Sequence, residues 1–286
     1  MNEVRIATRG SRLALAQATQ VAEMVRSRVG ADRVELVEVQ TLGDRDRTTS
    51  LTRLSQVGAF VRAVQEALLD GRADIAVHSL KDLPVAQPEG LELVALPERR
   101  SARDVLVGAA LDDLPEGSTV GTSSPRRSAQ LRELRPDLEL VPIRGNVDTR
   151  LASVSDGDPT AAVLAEAGLE RLGRTDAIAE RLGIARMVPA PGQGALAVEA
   201  ARGTFGAEVG AVLDNTSLRP LLRTERLLLA ETGAGCRSAL GALAEWHNGH
   251  IRLTAFVSDE RGSRRAVVLG ETPESVVADA RKELGL

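Results

Sequence analysis

A carboxylate and an ammonium group stand side by side at Lys81 and Asp82, just after the predicted end of a strand. The stretch Asp74 to Val77 is mostly apolar and β-branched, which predicts a short buried strand that the chain leaves at His78. Pro84 then prevents an easy continuation into helix. Because ligands of open α/β sheets bind beyond the carboxyl ends of strands, Lys81 and Asp82 are candidates for a functional site. The alternative interpretation is a solvated ion pair on a surface loop.

Arginine clusters occur at several predicted strand-to-helix turns. Ser124 is a predicted N-cap and Pro125 the first helical residue, so Arg126 and Arg127 fall in the first helical turn. Cations there oppose the helix dipole, which favours the binding of an external anion by backbone N–H groups and both guanidiniums. The alternative is that both side chains point to water. The pattern recurs, more faintly in the second case, at Arg144 to Arg150 and Arg9 to Arg12.

Composition narrows the class of protein. Aromatic residues are 1% of the chain and the net charge is -4, which argues against stacking platforms and basic surfaces for nucleic acid. Lys81 and Lys282 are the only lysines, so arginine supplies nearly all positive charge. Cys236 is the only cysteine, which excludes an intrachain disulfide. We expect no membrane span, no metal site and a cytoplasmic location, and His247 to His250 as a hairpin turn.

The predicted elements alternate between strand and helix, which favours a mainly parallel α/β sheet. Crossings near Glu98 to Asp104 and Val188 to Gly194 predict two lobes joined by a hinge, with a cleft between them. From Leu218 onward, a helix, a hairpin at Asn248-Gly249, a third strand and a final helix capped at Thr272 predict a small α+β domain. The predicted domains are residues 1–97 with 195–214, residues 98–194, and residues 215–286.

Many short motifs match one known family in order along essentially the whole chain. They are Arg5 to Arg9, Asp74 to Pro84, Gly121 to Ser124, Arg126-Arg127, Arg144 to Val147, Thr149-Arg150, Ala167 to Leu169, Arg171 to Gly173, Pro189-Ala190, Gly192 to Ala195 and Gly235-Cys236. On these motifs the chain resembles the porphobilinogen deaminase (hydroxymethylbilane synthase) family. The resemblance implies two lobes of the type II periplasmic-binding-protein kind and a third domain that carries a cofactor cysteine.

The resemblance also implies a reaction and a cofactor. A dipyrromethane is attached to Cys236 by a thioether, four porphobilinogen units are added head to tail with loss of ammonia, and hydrolysis releases hydroxymethylbilane. Asp82 matches the catalytic carboxylate, which binds pyrrole N–H groups and stabilises the cationic azafulvene left when ammonia departs. The implied partner is porphobilinogen alone, without nucleic acid or membrane, and we expect a monomer.

Further positions are assigned to ligand binding by the same resemblance. Cofactor binding is implied for Ser79, Lys81, Thr122, Ser124, Arg126, Arg127 and Arg150. Substrate binding is implied for Arg9, Ser11, Arg144, Arg171 and Gln193. The stretch Gln56 to Phe60 departs from the family, which usually has Gly-Lys-Gly there.

Two other functions are consistent with parts of the sequence. A two-lobed binding protein could hold a polycarboxylate on the same arginines without chemistry, although Cys236 and the third domain argue against it. A Schiff-base enzyme could use Lys81, but this needs a desolvated amine, and the neighbouring Asp82 would keep it charged.

Overall fold

The computed structural model describes residues 3–39, 56–232 and 239–286, with the backbone alone at 56–60. The predicted loop Arg45 to Ser50 and Cys236 lie outside these residues. The strands are β1 (Glu3–Arg9), β2 (Arg33–Val39), β3 (Ile75–Ser79), β4 (Leu91–Ala95), β5 (Asp104–Val107), β6 (Thr119–Gly121), β7 (Glu139–Val141), β8 (Ala161–Ala165), β9 (Ile178–Arg181), β10 (Leu196–Ala201), β11 (Ala239–His247), β12 (His250–Asp259) and β13 (Gly262–Gly270). The helices are α1 (Arg12–Val29), α2 (Gln56–Leu69), α3 (Pro125–Leu134), α4 (Val147–Ser155), α5 (Glu166–Leu172), α6 (Phe205–Ala211), α7 (Arg219–Glu231) and α8 (Pro273–Leu284).

The chain forms two compact units, each made of two separate stretches. The first unit is Met1–Arg99 with Ala195–Arg219, and the second is Arg100–Gly194 with Pro220–Leu286. The predicted division into three domains stays a prediction.

The first unit contains a five-stranded sheet in the order β2-β1-β3-β10-β4. Successive side chains of a strand point to opposite faces, so Ile6 packs in the cluster that includes α1 and Ala7 in the cluster that includes α2. Both faces of the sheet are therefore covered by helices, as in α/β folds.

The second unit contains a sheet of the same design and a smaller one. Its five strands have the order β7-β6-β8-β5-β9, and β11-β12-β13 form an antiparallel sheet. Leu106 of β5 packs in the cluster that includes α3, and its neighbour Val105 packs in the cluster that includes α4 and α5. The small sheet packs against α7 and α8 through a core that includes Leu228, Leu253 and Val277. Two lobes of type II topology and an α+β segment confirm the predicted fold class.

The prediction of mainly parallel sheets is wrong, because half of the strand pairings in each large sheet are antiparallel. In the first unit, β1 is parallel to β2 and β3, whereas β10 is antiparallel to β3 and β4. In the second unit, β6 is parallel to β7 and β8, and β5 is antiparallel to β8 and β9. The chain passes from one unit to the other just before β5 and again just before β10. No crossover helix within the same unit therefore precedes these two strands and fixes their direction.

Two helices begin, and one hairpin turns, at the residues that the sequence predicts. Ser11 caps α1 by accepting a hydrogen bond from Ala14 N (3.3 Å), and Thr272 caps α8 within a capping box. Asn248 (φ 50°) and Gly249 (φ 81°) both have positive φ, as a type I′ hairpin requires. Strand β3 runs further than the predicted exit at His78, because β10 still pairs with Ser79.

Candidate active site

The carboxyl ends of β1 and β3 lie at one edge of the first unit's sheet. The strands are parallel neighbours in which Ala7 pairs with Ala76, so Arg9 and Ser79 both lie at this edge. Ser11 follows β1 directly at the start of α1. The parallel pairing thus brings three predicted ligand-binding residues to one edge of the sheet, as expected for an open α/β sheet.

Asp82 lies on a 3₁₀ turn, Leu80–Asp82, that follows β3 at the same edge. Leu80 and Leu83 are buried on either side of Lys81 and Asp82, and Leu80 N donates a hydrogen bond to Ala195 O (3.0 Å). The side chains of Lys81 and Asp82 are half-buried. Within the described part of the chain, the Asp82 carboxylate makes no hydrogen bond and no ion pair. The turn therefore holds in place a carboxylate that no described residue neutralises.

A buried polar network includes His78, the last residue but one of β3. Its Nε2 lies 3.1 Å from the fully buried Glu199 Oε2, although this nitrogen makes no hydrogen bond with a described residue. Gln65 Nε2 donates to both oxygens of Glu199 (3.1 and 3.0 Å), and Gln87 Nε2 lies 3.4 Å from one of them. Amide donors from α2 and from the stretch before β4 thus stabilise this buried carboxylate of β10.

The second unit presents its candidate residues in the same way, after the parallel strands β6, β7 and β8. Thr122 follows β6, and its N–H donates to Val141 O (2.9 Å). Thr122 Oγ1 accepts from Ser124 N (3.2 Å), and Ser124 Oγ accepts from Arg127 N (3.4 Å) as the N-cap of α3. These hydrogen bonds fix the turn that leads from the sheet into α3.

Arg126, Arg127 and Gln193 all converge on one residue, the fully buried Asp104 at the start of β5. Arg126 Nη1 donates to Asp104 Oδ2 (2.7 Å), Arg127 Nη2 to Oδ1 (2.7 Å), and Gln193 Nε2 to Oδ1 (3.0 Å). Burial alone raises the pKa of the Asp104 carboxyl, but the two guanidiniums outweigh burial and lower the pKa below the usual aspartate range. Asp104 is therefore an ionised internal counter-ion. We call Asp104, Arg126, Arg127 and Gln193 the Asp104 cluster.

The alternative interpretation of the arginines at the start of α3 is wrong, because Arg126 and Arg127 are buried and do not point to water. A protein carboxylate binds both of them, and the binding of an external anion at the same place stays a prediction. Sequence reasoning missed Asp104, although a signal was present. An aspartate that opens an otherwise apolar strand, Asp104 to Val107, needs a buried cationic partner.

The other arginines of the second unit differ in how firmly they are held. Arg144, which follows β7, is exposed and makes no hydrogen bond or ion pair with any described residue. Arg150 Nε donates to Gly145 O (3.0 Å), and Arg171 Nη2 donates to Gly194 O (2.9 Å). Arg150 and Arg171 are thus oriented by the backbone, whereas Arg144 is available to an anion from solvent.

The residues after these strands suit a ligand with several carboxylates. Arginine binds carboxylates through paired N–H groups, and the Asp104 cluster keeps a net positive charge. Cys236, the predicted attachment point, lies between the described ends of α7 and β11. Over the described ranges, no three His, Cys, Asp or Glu side chains are grouped as metal ligands would be. The helices described here include none with the length and apolarity needed to cross a bilayer.

Comparison of the sequence with a family model and with known proteins gives the same family name in each case. A family model described as "Porphobilinogen deaminase, dipyromethane cofactor binding domain" matches residues 4–206. Porphobilinogen deaminase of Thermobifida fusca is 45% identical over 285 residues, which cover 96% of this chain and 88% of that protein. Porphobilinogen deaminase of Mycobacterium marinum is 50% identical over 246 residues, which cover 85% of this chain and 77% of that protein.

Solved structures of similar fold have a much lower sequence identity to this chain. Substrate-binding domain 2 of Lactococcus lactis GlnP, in its open conformation, has a TM-score of 0.47 and 12% sequence identity. The similarity covers 82% of this chain and 91% of that one.

Proposed function

The chain belongs to the porphobilinogen deaminase family, and we propose which of its residues perform the reaction of that family. The protein is a transferase that joins porphobilinogen units head to tail on a dipyrromethane cofactor, releases ammonia, and forms hydroxymethylbilane. The alternative of a polycarboxylate-binding protein without catalysis is not favoured by this membership.

Asp82 is the proposed catalytic residue, and the observation that carries this assignment is that its carboxylate, just after the end of β3, has no ion-pair or hydrogen-bond partner among the described residues. Asp74, only eight residues earlier, is bound by the Arg5 guanidinium (2.8 Å) and has no such freedom. A carboxylate in this state can accept hydrogen bonds from pyrrole N–H groups. It can also stabilise the positive charge that develops on the pyrrole as ammonia leaves.

The cofactor is proposed to be attached to Cys236 by a thioether. When bound, it supplies the terminal pyrrole carbon to which the first substrate unit is joined. Seven residues of the chain are proposed to bind its carboxylates and N–H groups: Ser79, Lys81, Thr122, Ser124, Arg126, Arg127 and Arg150. Their contribution is to hold a flexible polyanion in one orientation, which lowers the entropic cost of coupling.

The incoming substrate carries an acetate and a propionate, which cationic groups and neutral hydrogen-bond donors can bind. The proposed partners are Arg9, Ser11, Arg144, Arg171 and Gln193. Arg144 is exposed, whereas the other four residues are half-buried or buried, so it suits first contact with substrate from solvent. Ser11 Oγ accepts from Ala14 N as a helix cap and can still donate its hydroxyl hydrogen to a carboxylate. Gln193 donates to Asp104, so it supports the arginines in addition.

Asp82→Asn tests the proposed catalytic role. This change keeps the size of the side chain but removes its charge, so we expect turnover of porphobilinogen to fall by about 100-fold or more. We expect the purified variant still to carry the mass of two pyrrole units on Cys236. Asp70→Asn, at an exposed position of the same unit, is the control and should keep normal turnover. Normal turnover in Asp82→Asn would remove the proposed mechanism.

Three further features complete the proposal. The domains are residues 1–97 with 195–214, residues 98–194, and residues 215–286, and limited proteolysis should cut first between them. The protein acts as a monomer, which light scattering would report as a mass near 30.3 kDa. It acts in the cytoplasm, because thioether formation needs a reduced Cys236 and the cytoplasm keeps thiols reduced. It acts without nucleic acid. Cell fractionation tests the location.

A further inference from the structure

Asp104 has no part in the proposed reaction, yet it occupies the centre of the arginine site. Its side chain is completely buried, and both of its oxygens accept hydrogen bonds from guanidinium groups. Burying charges is costly unless they are paired, and here two cations share one anion. The cluster therefore keeps one uncompensated positive charge in a buried position.

The two arginines are not equivalent in the hydrogen bonds that they have left to donate. Arg127 Nε and Nη2 donate to Asp104 Oδ1 (3.1 and 2.7 Å), and its Nη1 donates to Val163 O (2.8 Å). Arg126 donates only from Nη1, to Asp104 Oδ2 and Val188 O (both 2.7 Å). Arg126 Nε and Nη2 make no hydrogen bond with described residues. These two nitrogens form the edge of a guanidinium that binds a carboxylate in a bidentate manner.

We propose that Asp104 is a positioning residue that acts as an internal counter-ion and sets the capacity of the site to a single ligand carboxylate. It holds both arginines together before any ligand is present, occupies Arg127, and leaves the Nε–Nη2 edge of Arg126 for one carboxylate. The residual charge of the cluster supports the same capacity, since one further anion neutralises it. This inference rests on the proposed assignment of Arg126 and Arg127 to the cofactor.

Replacement of Asp104 followed by chemical rescue tests the proposal. Asp104→Ala removes the carboxylate and leaves room for formate, whereas Asp104→Asn keeps the volume and removes the charge. After incubation of the full-length protein with porphobilinogen, intact mass gives the fraction that carries two pyrrole units. In sodium chloride we expect this fraction to fall about tenfold in Asp104→Ala, because two buried guanidiniums repel each other without their anion. Sodium formate at equal ionic strength should restore most of it, and should not restore Asp104→Asn.

Stability provides a second measurement that does not depend on the cofactor. Formate should raise the urea midpoint of Asp104→Ala relative to chloride, because an anion that binds only the folded state stabilises it. The wild type and Asp259→Asn should respond to the two salts alike. Asp259 is a matched control, since two arginines also bind this carboxylate but on the surface hairpin.

The experiments distinguish a failure of the proposed function from a failure of the inference about Asp104. A wild-type protein that never gains the pyrrole mass contradicts the proposed function, while the effect of formate on the urea midpoint still tests Asp104. Normal cofactor uptake by Asp104→Ala in chloride overturns the inference. So does a folded Asp104→Ala variant whose uptake and midpoint do not respond to formate, since Asp104 would then act through packing alone.

Discussion

The aspartate side chains of this protein differ mainly in what surrounds their carboxylates. Asp104 is buried between two guanidiniums, Asp259 lies at the surface beside Arg261 and Arg264, and Asp82 is half-buried without a cationic partner among described residues. Only the last can offer its full charge to a ligand. The surroundings of the carboxylate, and not the residue type, distinguish the proposed catalytic group from the structural ones.

The lowered pKa of Asp104 predicts a specific pH dependence of stability. An unfolded aspartate has a pKa of about 3.9, and the folded value lies below it, so folding favours the ionised form. The resulting contribution to the free energy of unfolding is fully present above the unfolded pKa and is lost as the pH falls through the folded pKa. Urea unfolding should therefore show a constant difference between wild type and Asp104→Asn from about pH 7 to 5, and a shrinking one below about pH 4.

The control for this pH series is the exposed Asp70→Asn variant, which should unfold close to wild type at each pH. A difference between wild type and Asp104→Asn that grows as the pH falls would contradict the direction of the pKa shift.

At the site, sequence reasoning succeeded where the signal was local. The position of Asp82 after a buried strand and the cap at Ser124 could both be predicted from neighbouring residues. The pairing of Arg126 and Arg127 with Asp104 could not, because it joins residues 22 and 23 positions apart through the tertiary fold. Residue types at the start of α3 are compatible with an internal anion, an external anion or both, and only the structure shows the internal one.

Turns and helix caps could be predicted because they depend on neighbouring residues. The direction of a strand that pairs with residues distant in sequence could not. The type I′ turn at Asn248-Gly249 and the cap at Thr272 depend on residues adjacent in sequence. The antiparallel direction of β10 depends instead on where the chain returns from the other unit. No periodicity within β10 carries that information.

Helix α6 packs unusually closely on the strand that leads to the candidate site, which predicts the effect of a small substitution. A Cβ atom added at Gly206 would lie 1.9 Å from Asp74 O, just before β3. Although alanine gains about 1 kcal/mol over glycine in helix propensity, we expect Gly206→Ala to destabilise the protein by roughly 2–4 kcal/mol, because the backbone of Asp74 cannot yield as a side chain would. The free energy of unfolding in urea measures this effect.

Gly183→Ala is the matched control for this substitution. Its Cβ would have no atom within 4 Å and its φ is not in the left-handed region, so the free energy of unfolding should change little. If Gly206→Ala were as stable as wild type, the close approach of α6 to Asp74 would be refuted.

At the scale of the whole molecule, the carboxyl-terminal stretch of the chain packs with residues 100–194 in the second unit. Phe256 is fully buried in a cluster with Val188, and Ala129 of α3 packs against that cluster. Arg265 lies over the Phe256 ring (4.8 Å from the centroid) and pairs with Glu133 of α3 (2.6 Å). The helix and strand on either side of Cys236 thus belong to the same compact unit as the Asp104 cluster.

A single buried carboxylate joins three parts of this unit that are distant in sequence. Glu225 of α7 is fully buried and accepts hydrogen bonds from Gly192 N (2.7 Å) and Ala244 N (2.8 Å). In Glu225→Gln one of these N–H groups would face the amide NH₂ and lose its acceptor. Leaving a buried donor unpaired costs about 1–3 kcal/mol, and we expect the second unit to be destabilised by this amount.

Trp246 makes this last prediction measurable, because it is the only tryptophan and lies in β11 two residues after Ala244. Urea unfolding followed by its fluorescence should shift to lower denaturant in Glu225→Gln. Glu231→Gln is the control on the same helix: Glu231 forms a partly exposed ion pair with Arg281 (3.0 Å), which contributes about 0–1 kcal/mol. Equal midpoints for the two variants would mean that Glu225 does not hold β11 to the turn at Gly192. The attachment of β11 would then depend on the Phe256 cluster and the Arg265–Glu133 pair, and Phe256→Ala should produce the shift that Glu225→Gln does not.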